Sequence, residues 1–344
     1  MGASEAGNRE YLCVDEFLGD MVGARALASA LELGLVDCLL ERQPRAMHEL
    51  GAHARLDERG TRLLAGLLRA HGAIEVSGEA VRLSDSLSAA LRYRDLLEAK
   101  LDFAAAVAPD YLDLFTTLLA DPNGFFERAK LFDLFSYDRC FEPTPENVSR
   151  TARWMRFTTA LTRYEAAGCL DSHDFSAYKR MLDVGGNSGE FALRACRRHP
   201  GLRATVYDLP VVCGIGARHV AAEPEAGRIG FVEADTAGGA LPHGHDLITF
   251  KSMLHDWPDG PMHAFLARAH AALAPGGTVL IYERSPVEVG EGGLAYGQIP
   301  LMLFFRSYRT PPDYIAALAQ AGFRDVRVKT VDLDMPFLLV TARK

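Results

Sequence analysis

Paired cysteines, excess positive charge and long apolar runs are all missing from this sequence of 344 residues. The six cysteines are scattered without a CxxC pair, which argues against a disulfide framework or a zinc ribbon and indicates a reducing, cytoplasmic compartment. Lys and Arg number 37 against 45 Asp and Glu, and the net charge of −8 disfavours a general nucleic-acid binder. No run of 18 apolar residues occurs and the opening MGASEAGNRE has no apolar stretch, so we expect neither a membrane partner nor a signal peptide.

The length exceeds what one hydrophobic core usually needs. Hydrophobic residues make up 49% and charged residues 24%, as in ordinary globular proteins. At roughly 100–200 residues per domain, the chain predicts two domains with a helical connector. We place the first domain at residues 1–100, the connector at 101–175 and the second domain at 176–344.

The first domain has the pattern of a winged helix. Amphipathic helices with a turn between them are followed by two short strand-like stretches, Ala73–Val76 and Ala80–Leu83. A winged helix can read DNA, but residues 1–100 hold 12 Lys and Arg against 16 Asp and Glu. The segment in the place of a recognition helix, DERGTRLLAGLLRAHG, is mostly Leu, Ala and Gly. We therefore expect this domain to form a subunit interface, giving a homodimer.

Residues 176–344 alternate between strands and helices. Short apolar strands, such as MLDVG, ATVYDL, IGFVEAD, DLITFKSML and TVLIYERS, are separated by helical segments. Such alternation predicts βαβ units in a doubly wound, Rossmann-like α/β fold with a parallel sheet. The last 22 residues predict two antiparallel strands that close the sheet.

Polar residues follow each of the first four strands of this domain. They are the glycine-rich loop 183–190, Asp208, Asp235 and the segment 251–259. Because open α/β sheets bind ligands at the carboxyl ends of their strands, we expect a binding site there. Asp208 or Asp235 taken singly is equally consistent with a helix cap.

The glycine-rich loop by itself is compatible with a dinucleotide. Its spacing, however, is G-G-N-S-G rather than G-x-G-x-x-G, and Glu190 places a negative charge where a pyrophosphate favours a free helix N-terminus. A cofactor with a positive centre and no phosphate fits better. Asp208 follows Asp183 by 25 residues, about where such sheets place a ribose-binding acid.

Several longer segments resemble the caffeate-type O-methyltransferases, which depend on S-adenosyl-methionine and include many bacterial natural-product enzymes. They are LDVGGNSGEF, VYDLP, FVEAD, FKSMLHDWPDGPMHAFLARAHAALAPGGTVLIYERSP and RTPPDYIAALAQAGF. The run from LHDWPD to LAPGG is the most specific. The resemblance extends over most of the chain, because that family has an N-terminal winged-helix-like dimerisation domain and a helical middle that lines the substrate pocket.

The resemblance implies roles for individual residues. His255 would be the general base and Glu283 the acid that flanks it. The glycines of the loop would approach the methionine part of the cofactor, Asp208 the ribose and Asp235 the adenine amine. The full set predicted to bind cofactor is Asp183, Gly185, Gly186, Gly189, Asp208, Leu209, Asp235, Lys251 and Trp257. The residues predicted to bind substrate are Met155, Met302 and Arg306.

Two positions depart from the family pattern. Asn187 stands where glycine is usual, although asparagine tolerates a left-handed backbone. Tyr308 stands where plant members have an acid before Arg-Thr, which removes the second acid expected to flank the histidine.

The chemistry favours an acidic hydroxyl as acceptor. An imidazole near pKa ~6.5 and a phenol near ~10 differ by about 3.5 units, or ~5 kcal/mol, which a buried base beside a carboxylate can overcome. An aliphatic alcohol near ~15 would require more than ~11 kcal/mol on the same scale. We therefore expect O-methylation of a phenol or enol on a small aromatic natural-product intermediate.

Alternatives remain at this point. Arg306 lies in the apolar text LMLFFRSYRT, where it either holds a substrate carboxylate for C-methylation of a ring or α-keto acid, or pairs with a surface acid. His255 and Asp256 could ligate a metal, but we predict none. The text HGHD (243–246) lies about 20 Å away at the other end of a strand, and we expect it in a surface turn. A catalytically silent, dimeric cofactor-binding scaffold is the non-enzymatic alternative.

Overall fold

The computed structural model describes residues 9–344, which form two compact units. The first contains the described residues up to Glu127 together with Val289–Pro300. The second contains Arg128–Glu288 together with Leu301–Lys344. The division into residues 1–100, 101–175 and 176–344 by role stays a prediction.

The first unit is mainly helical and carries a small antiparallel sheet. A 3₁₀ segment, Glu10–Leu18, precedes the helices. The helices are α1 (Met21–Glu32), α2 (Leu35–Glu41), α3 (Met47–Ala54), α4 (Glu58–Ala70), α5 (Asp85–Ala90), α6 (Arg94–Ala120) and α7 (Pro122–Arg128), the last of which ends one residue into the second unit. The strands β1 (Arg45–Ala46), β2 (Ile74–Ser77) and β3 (Ala80–Leu83) pair in the order β1-β3-β2.

The hairpin predicted after the second helix of the helix–turn–helix is present as β2 and β3, one residue later than expected in β2. Asp57 begins α4 by accepting a hydrogen bond from the amide of Gly60 at 2.7 Å, which is a typical helix N-cap. Leu63 on α4, Leu112 on α6 and Met21 on α1 are exposed large apolar side chains. The first unit thus presents apolar surface to its surroundings.

Within residues 9–344, one helical stretch, residues 85–120, is long and apolar enough to match a membrane-crossing helix by length and composition. A third of its most apolar window is buried. Core helices of soluble proteins pass the same criterion, so a single such stretch is weak evidence for a membrane partner.

The second unit is built on a seven-stranded sheet. Its strands are β4 (Arg180–Val184), β5 (Arg203–Asp208), β6 (Ile229–Glu233), β7 (His245–Lys251), β8 (Leu273–Arg284), β9 (Arg324–Asp332) and β10 (Pro336–Arg343). The order is β6-β5-β4-β7-β8-β10-β9. β4 to β8 are parallel, whereas β10 is antiparallel to both of its neighbours. The predicted doubly wound, Rossmann-like α/β architecture with a closing antiparallel pair is confirmed.

Helices cover this sheet and complete its core. They are α8 (Leu131–Leu134), α9 (Pro145–Ser172), α10 (Glu190–Arg198), α11 (Pro210–Val220), α12 (Asp259–Ala272) and α13 (Pro311–Gln320). Two apolar clusters fill the interior, one around Phe250 and Phe265, the other around Phe191 and Tyr282. The strands β4, β5, β7 and β8 are largely buried because helices pack on the sheet, which accounts for their mostly apolar sequences.

The order β5-β4-β7 fixes where polar side chains meet. These strands are parallel neighbours, so their carboxyl ends lie at one edge of the sheet. The loop after β4, the turn after β5 and the segment after β7 therefore converge.

Candidate active site

The glycine-rich loop after β4 needs glycine at particular positions. Gly185 and Gly189 have φ of 66° and 75°, a region that other residues rarely adopt. A Cβ on Gly185 would lie 2.5 Å from the side chain of Met253, and one on Gly186 would lie 2.7 Å from the carboxylate of Asp183. Asn187 adopts φ of 55°, as its tolerance of the left-handed region allows. The loop thus exposes backbone that a ligand can approach closely.

Two buried carboxyl groups flank this loop. Asp183 Oδ1 accepts a hydrogen bond from the Thr249 hydroxyl at 2.6 Å, while Oδ2 has no partner in the described chain. Burial raises the pKa of Asp183 to about 7. Asp208 accepts from the amides of Asn187 at 2.8 Å and Leu209 at 2.7 Å, and burial raises its pKa to about 6. Each Asp208 oxygen therefore keeps capacity for a further donor, such as a ribose hydroxyl.

Asp235 and Trp257 lie at the ends of the segments that follow β6 and β7. Asp235 is exposed, and its carboxylate accepts from the amide of Ala237 at 2.9 Å. Trp257 packs edge-on against Phe265 at 5.3 Å between ring centroids and nearly parallel to Tyr137 at 6.5 Å. Residues of the types that bind an adenosyl group are thus present along this edge.

Lys251 forms an ion pair and a hydrogen bond with side chains of α9. Its ammonium group donates to Glu165 on α9 at 2.5 Å and to the Thr162 hydroxyl at 3.0 Å. Arg284 also pairs with Glu165 and lies 3.7 Å from Asp334. All of these ionic side chains are largely buried. The predicted contact of Lys251 with a cofactor stays a prediction, and the structure shows a role in fixing α9 to the sheet.

His255 and Glu283 form a buried pair. His255 Nδ1 lies 2.6 Å from Glu283 Oε2. The other carboxylate oxygen of Glu283 accepts the amides of Met253 and Leu254, each at 2.7 Å. Burial disfavours the imidazolium, but the charges of Glu283 and Asp256 outweigh burial and raise the pKa of His255 above its usual value. This geometry holds the imidazole with Nε2 as the nitrogen available to a ligand.

Aromatic rings and a second carboxylate surround Nε2. Phe304 meets the imidazole edge-on at 4.7 Å between centroids, and Tyr308 lies at 5.4 Å. Asp256 Oδ1 is 3.4 Å from Nε2, and its Oδ2 accepts the hydroxyl of Tyr137 at 2.7 Å. Aromatic rings beside a base are the side chains that an aromatic hydroxyl compound would contact.

Arg309 contacts the segment that carries His255 and was not predicted as a site residue from the sequence. Its guanidinium donates to the carbonyls of Leu254 and Trp257, at 3.0 and 2.7 Å, and to Asp259 at 3.0 and 3.1 Å. It therefore fixes the segment that carries His255. The sequence signal was its place in the RTPPDY motif, directly after Tyr308.

Glu190, at the start of α10, was expected to present a negative charge to a ligand, but it is paired within the protein. Its carboxylate is buried, accepts from Arg194 at 2.7–2.8 Å and lies 2.6 Å from His219 Nε2. Burial raises its pKa, but these partners outweigh burial and lower the pKa to about 2. The negative charge at the start of α10 is thus neutralised within the protein.

The three predicted substrate residues differ in exposure. Met155 on α9 is buried and Met302 is half-buried. Arg306 is exposed, with its guanidinium 4.7 Å from the ring centroid of Phe305. Their contact with a substrate stays a prediction.

The HGHD text begins a strand rather than forming only a surface turn. His245 is buried at the start of β7, with Nδ1 3.1 Å from the carbonyl of Pro242, and burial lowers its pKa. Asp246 accepts the amides of Lys179 and Arg180 at 2.9 Å each. The expectation of surface turn residues was therefore wrong for His245. Within residues 9–344, no three His, Cys, Asp or Glu side chains are grouped to hold a metal ion.

Known proteins resemble this chain in sequence. The O-methyltransferase domain family matches residues 119–324, which is more than half of the chain. The chain belongs to the O-methyltransferase domain family. The bovine acetylserotonin O-methyltransferase is 30% identical over 329 residues, covering 93% of this chain and 94% of that protein. The 3-hydroxy-5-methyl-1-naphthoate 3-O-methyltransferase of Streptomyces sahachiroi is 42% identical over 175 residues, or 50% and 49% of the two chains.

The fold of this chain is also found in a solved structure. Human N-acetylserotonin methyltransferase in complex with S-adenosyl-methionine superposes with a TM-score of 0.66 at 24% identity, covering 100% of this chain and 99% of that one. The resemblance found in the sequence is thus confirmed. The protein is a methyltransferase that uses S-adenosyl-methionine and a small-molecule acceptor, and the family acts on hydroxyl groups.

Proposed function

We propose that this O-methyltransferase methylates a phenol or enol hydroxyl of a small aromatic natural-product intermediate, with His255 as general base. The observation that carries the proposal is the His255–Glu283 pair of 2.6 Å at the carboxyl edge of the sheet, beside the glycine-rich loop. The names of the two relatives, an O-methyltransferase of a hydroxynaphthoate and one of acetylserotonin, support an aromatic acceptor.

The cofactor, when bound, supplies a methyl group on a positively charged sulfur. The loop glycines 185, 186 and 189 would leave room for it, and no phosphate has to be accommodated beside Glu190. Asp208 would accept the ribose hydroxyls, because its two oxygens are already oriented by backbone amides. Asp235 would accept the adenine amine, and Trp257 would pack on the adenine.

His255 would take the proton of the acceptor hydroxyl on Nε2. Glu283 holds Nδ1 and is itself fixed by two amides, so the imidazole is oriented before the acceptor binds. A raised pKa narrows the gap of about 3.5 units between a neutral imidazole and a phenol. Phe304 and Tyr308 would contact the ring of the acceptor.

We also propose that the enzyme is a cytoplasmic homodimer assembled through its first unit. Exposed apolar side chains on α1, α4 and α6 supply a surface for the second copy. The six cysteines are free thiols, which suits a reducing compartment.

Methyl-labelled cofactor provides the test. The enzyme is incubated with a panel of hydroxynaphthoates, hydroxyindoles including N-acetylserotonin, and α-keto acids, and the label is located by mass spectrometry and NMR. We expect an O-methyl ether on an aromatic or enolic oxygen. A methyl on carbon would replace the proposal with C-methylation, and binding of S-adenosyl-homocysteine without any turnover would favour the scaffold.

A further inference from the structure

Asp256 lies between the imidazole and a tyrosine. Its Oδ1 is 3.4 Å from His255 Nε2, and its Oδ2 accepts the hydroxyl of Tyr137 at 2.7 Å. The first distance is longer than an optimal hydrogen bond, and an ionised carboxylate can only accept, so Asp256 leaves the lone pair of a neutral Nε2 free for the acceptor's proton. The second is short and involves a charged acceptor, which makes it the stronger restraint on the carboxylate.

Tyr137 is partly exposed, at 37%, and its ring lies beside two tryptophans. The ring lies 19° from parallel to Trp257, with 6.5 Å between centroids, and meets Trp154 edge-on at 6.3 Å. Its carbonyl accepts the amide of Cys140 at 2.8 Å. Burial and the charge of Asp256 raise the pKa of the phenol well above its usual value, so it stays a hydrogen-bond donor. The hydrogen bond from the Tyr137 hydroxyl thus orients the carboxylate of Asp256.

A base that turns over must also lose its proton. Nδ1 of His255 is occupied by Glu283, so the proton collected on Nε2 has to leave from the Nε2 side. Asp256 is the carboxylate on that side, and its side chain is 21% exposed against 10% for His255. It can therefore exchange protons with water more readily than the imidazole can.

We propose that Asp256 accepts the proton from His255 after methyl transfer and that Tyr137 is the positioning residue that aims Asp256 at Nε2. The proposal rests on His255 being the base. The proton moves from the acceptor oxygen to Nε2, then from Nε2 to Oδ1, and finally from the neutral carboxyl group to water, which restores the carboxylate. No electron transfer or further reactant is involved.

Other titratable groups lie near His255, Asp256 and Tyr137. Glu283 and Arg284 come from β8, Tyr308 from the segment before α13, Asp208 from the end of β5, and Cys140 from the segment before α9. These groups contribute to the proton affinity of His255 and Asp256 in every variant below. The test therefore uses the difference in the pKa of His255 and in its proton exchange between the wild type and each variant.

NMR of ¹⁵N-histidine-labelled enzyme tests the proposal without an acceptor. In Tyr137→Phe the ring and its aromatic contacts remain, and only the hydroxyl bonded to Asp256 is lost. We expect the pKa of His255 to fall by about half a unit or more, because a nearby carboxylate raises it. We also expect the Nε2 proton of the imidazolium to exchange with water about tenfold more slowly.

The reference variant is Asp256→Asn, which should lower the pKa of His255 and slow the exchange of its Nε2 proton at least as strongly as Tyr137→Phe does. The double variant, with both substitutions, should show no larger effect than Asp256→Asn alone, because both substitutions act through one contact. The matched control is Tyr178→Phe, which removes a hydroxyl bonded to His173 at 2.9 Å before β4. It should leave both readings of His255 unchanged.

Turnover gives the second readout. N-acetylserotonin and 3-hydroxy-1-naphthoate serve as the probe acceptors. With an acceptor that is methylated, we expect Tyr137→Phe to have a lower kcat than the wild type and KM values within twofold of it. Added imidazole buffer should restore part of the lost kcat. Unchanged pKa and proton exchange in Tyr137→Phe, or additive effects in the double variant, would overturn the proposal. If the NMR coupling holds while His255→Ala keeps full turnover, the assignment of the base has failed instead.

Discussion

Among single residues, Glu283 is central to the proposed reaction because its carboxylate has three hydrogen-bond partners. Glu283 accepts two backbone amides and the imidazole of His255, and it is fully buried. Burial raises its pKa, but the charge of His255 and these hydrogen bonds outweigh burial and lower it. Glu283 thus stays ionised beside a base that becomes positively charged during the reaction.

Glu283→Gln is expected to lower kcat by about 100-fold or more, because the amide keeps the shape but cannot stabilise the imidazolium. The dissociation constant for S-adenosyl-homocysteine should stay within threefold. Steady-state kinetics and calorimetry give the two numbers. A kcat of Glu283→Gln close to that of the wild type would show that Glu283 holds His255 in place without stabilising its charge in the reaction.

Asp208 gives a prediction about pH. Burial raises its pKa to about 6, and in the proposed function the ionised form would be the one that accepts the ribose hydroxyls. As the pH falls through 6 the carboxylate takes up a proton, so the affinity for S-adenosyl-homocysteine should fall, approaching tenfold per unit well below the pKa. Calorimetric titrations between pH 8 and pH 5 measure this dependence.

Two variants isolate the contribution of Asp208. Asp208→Asn should bind more weakly at pH 8 and lose the step near pH 6. Glu233→Gln removes an exposed carboxylate on the neighbouring strand β6 and should retain the wild-type profile. If Asp208→Asn retains the same step, another group titrates and the assignment is wrong.

At the scale of elements, helix α9 is fastened to the sheet by buried ions. Glu165 on this helix bonds to Lys251 at the end of β7 and to Arg284 at the end of β8. Glu165→Gln leaves two cations in a buried place with too little compensation. We expect a loss of about 3–5 kcal/mol in the free energy of unfolding, measured with denaturant.

Glu146→Gln on the same helix is the matched control. Glu146 is 76% exposed and faces Arg150 at 3.5 Å, so its substitution should change stability by less than about 1 kcal/mol. Equal effects of the two substitutions would mean that the buried network does not hold α9.

The sequence predicted the elements better than their long-range contacts. The strands from β4 to β8 could be predicted because each is a short apolar run followed by a polar turn, and the edge they share follows from their being parallel. The placement of β10 between β8 and β9 was not predicted, because antiparallel pairing leaves no mark on the order of apolar residues. The ion pair of Lys251 with Glu165 was not predicted, because Glu165 lies 86 residues earlier in the chain, and the contact of Lys251 with the cofactor stays a prediction. Tyr137 and Arg309 were missed for the same reason, since their partners are distant in sequence.

For the whole molecule, the exposed apolar side chains of the first unit predict that two copies of the chain assemble. Leu63 and Leu112 are 65% and 74% exposed, and burial of such side chains against a second copy would stabilise an assembly. We expect sedimentation velocity over a concentration series to show a species with twice the mass of one chain. Leu63→Glu should shift it towards the monomer, and a wild-type protein that is monomeric at all concentrations would refute the homodimer.

The single-turnover rate of His255→Ala, measured on the acceptor that the wild-type enzyme methylates fastest, decides whether His255 is the base. We expect the rate to fall by about 100-fold or more, because no other group replaces the base, with binding of S-adenosyl-homocysteine unchanged within twofold. A rate within threefold of the wild type would show that His255 is not the base.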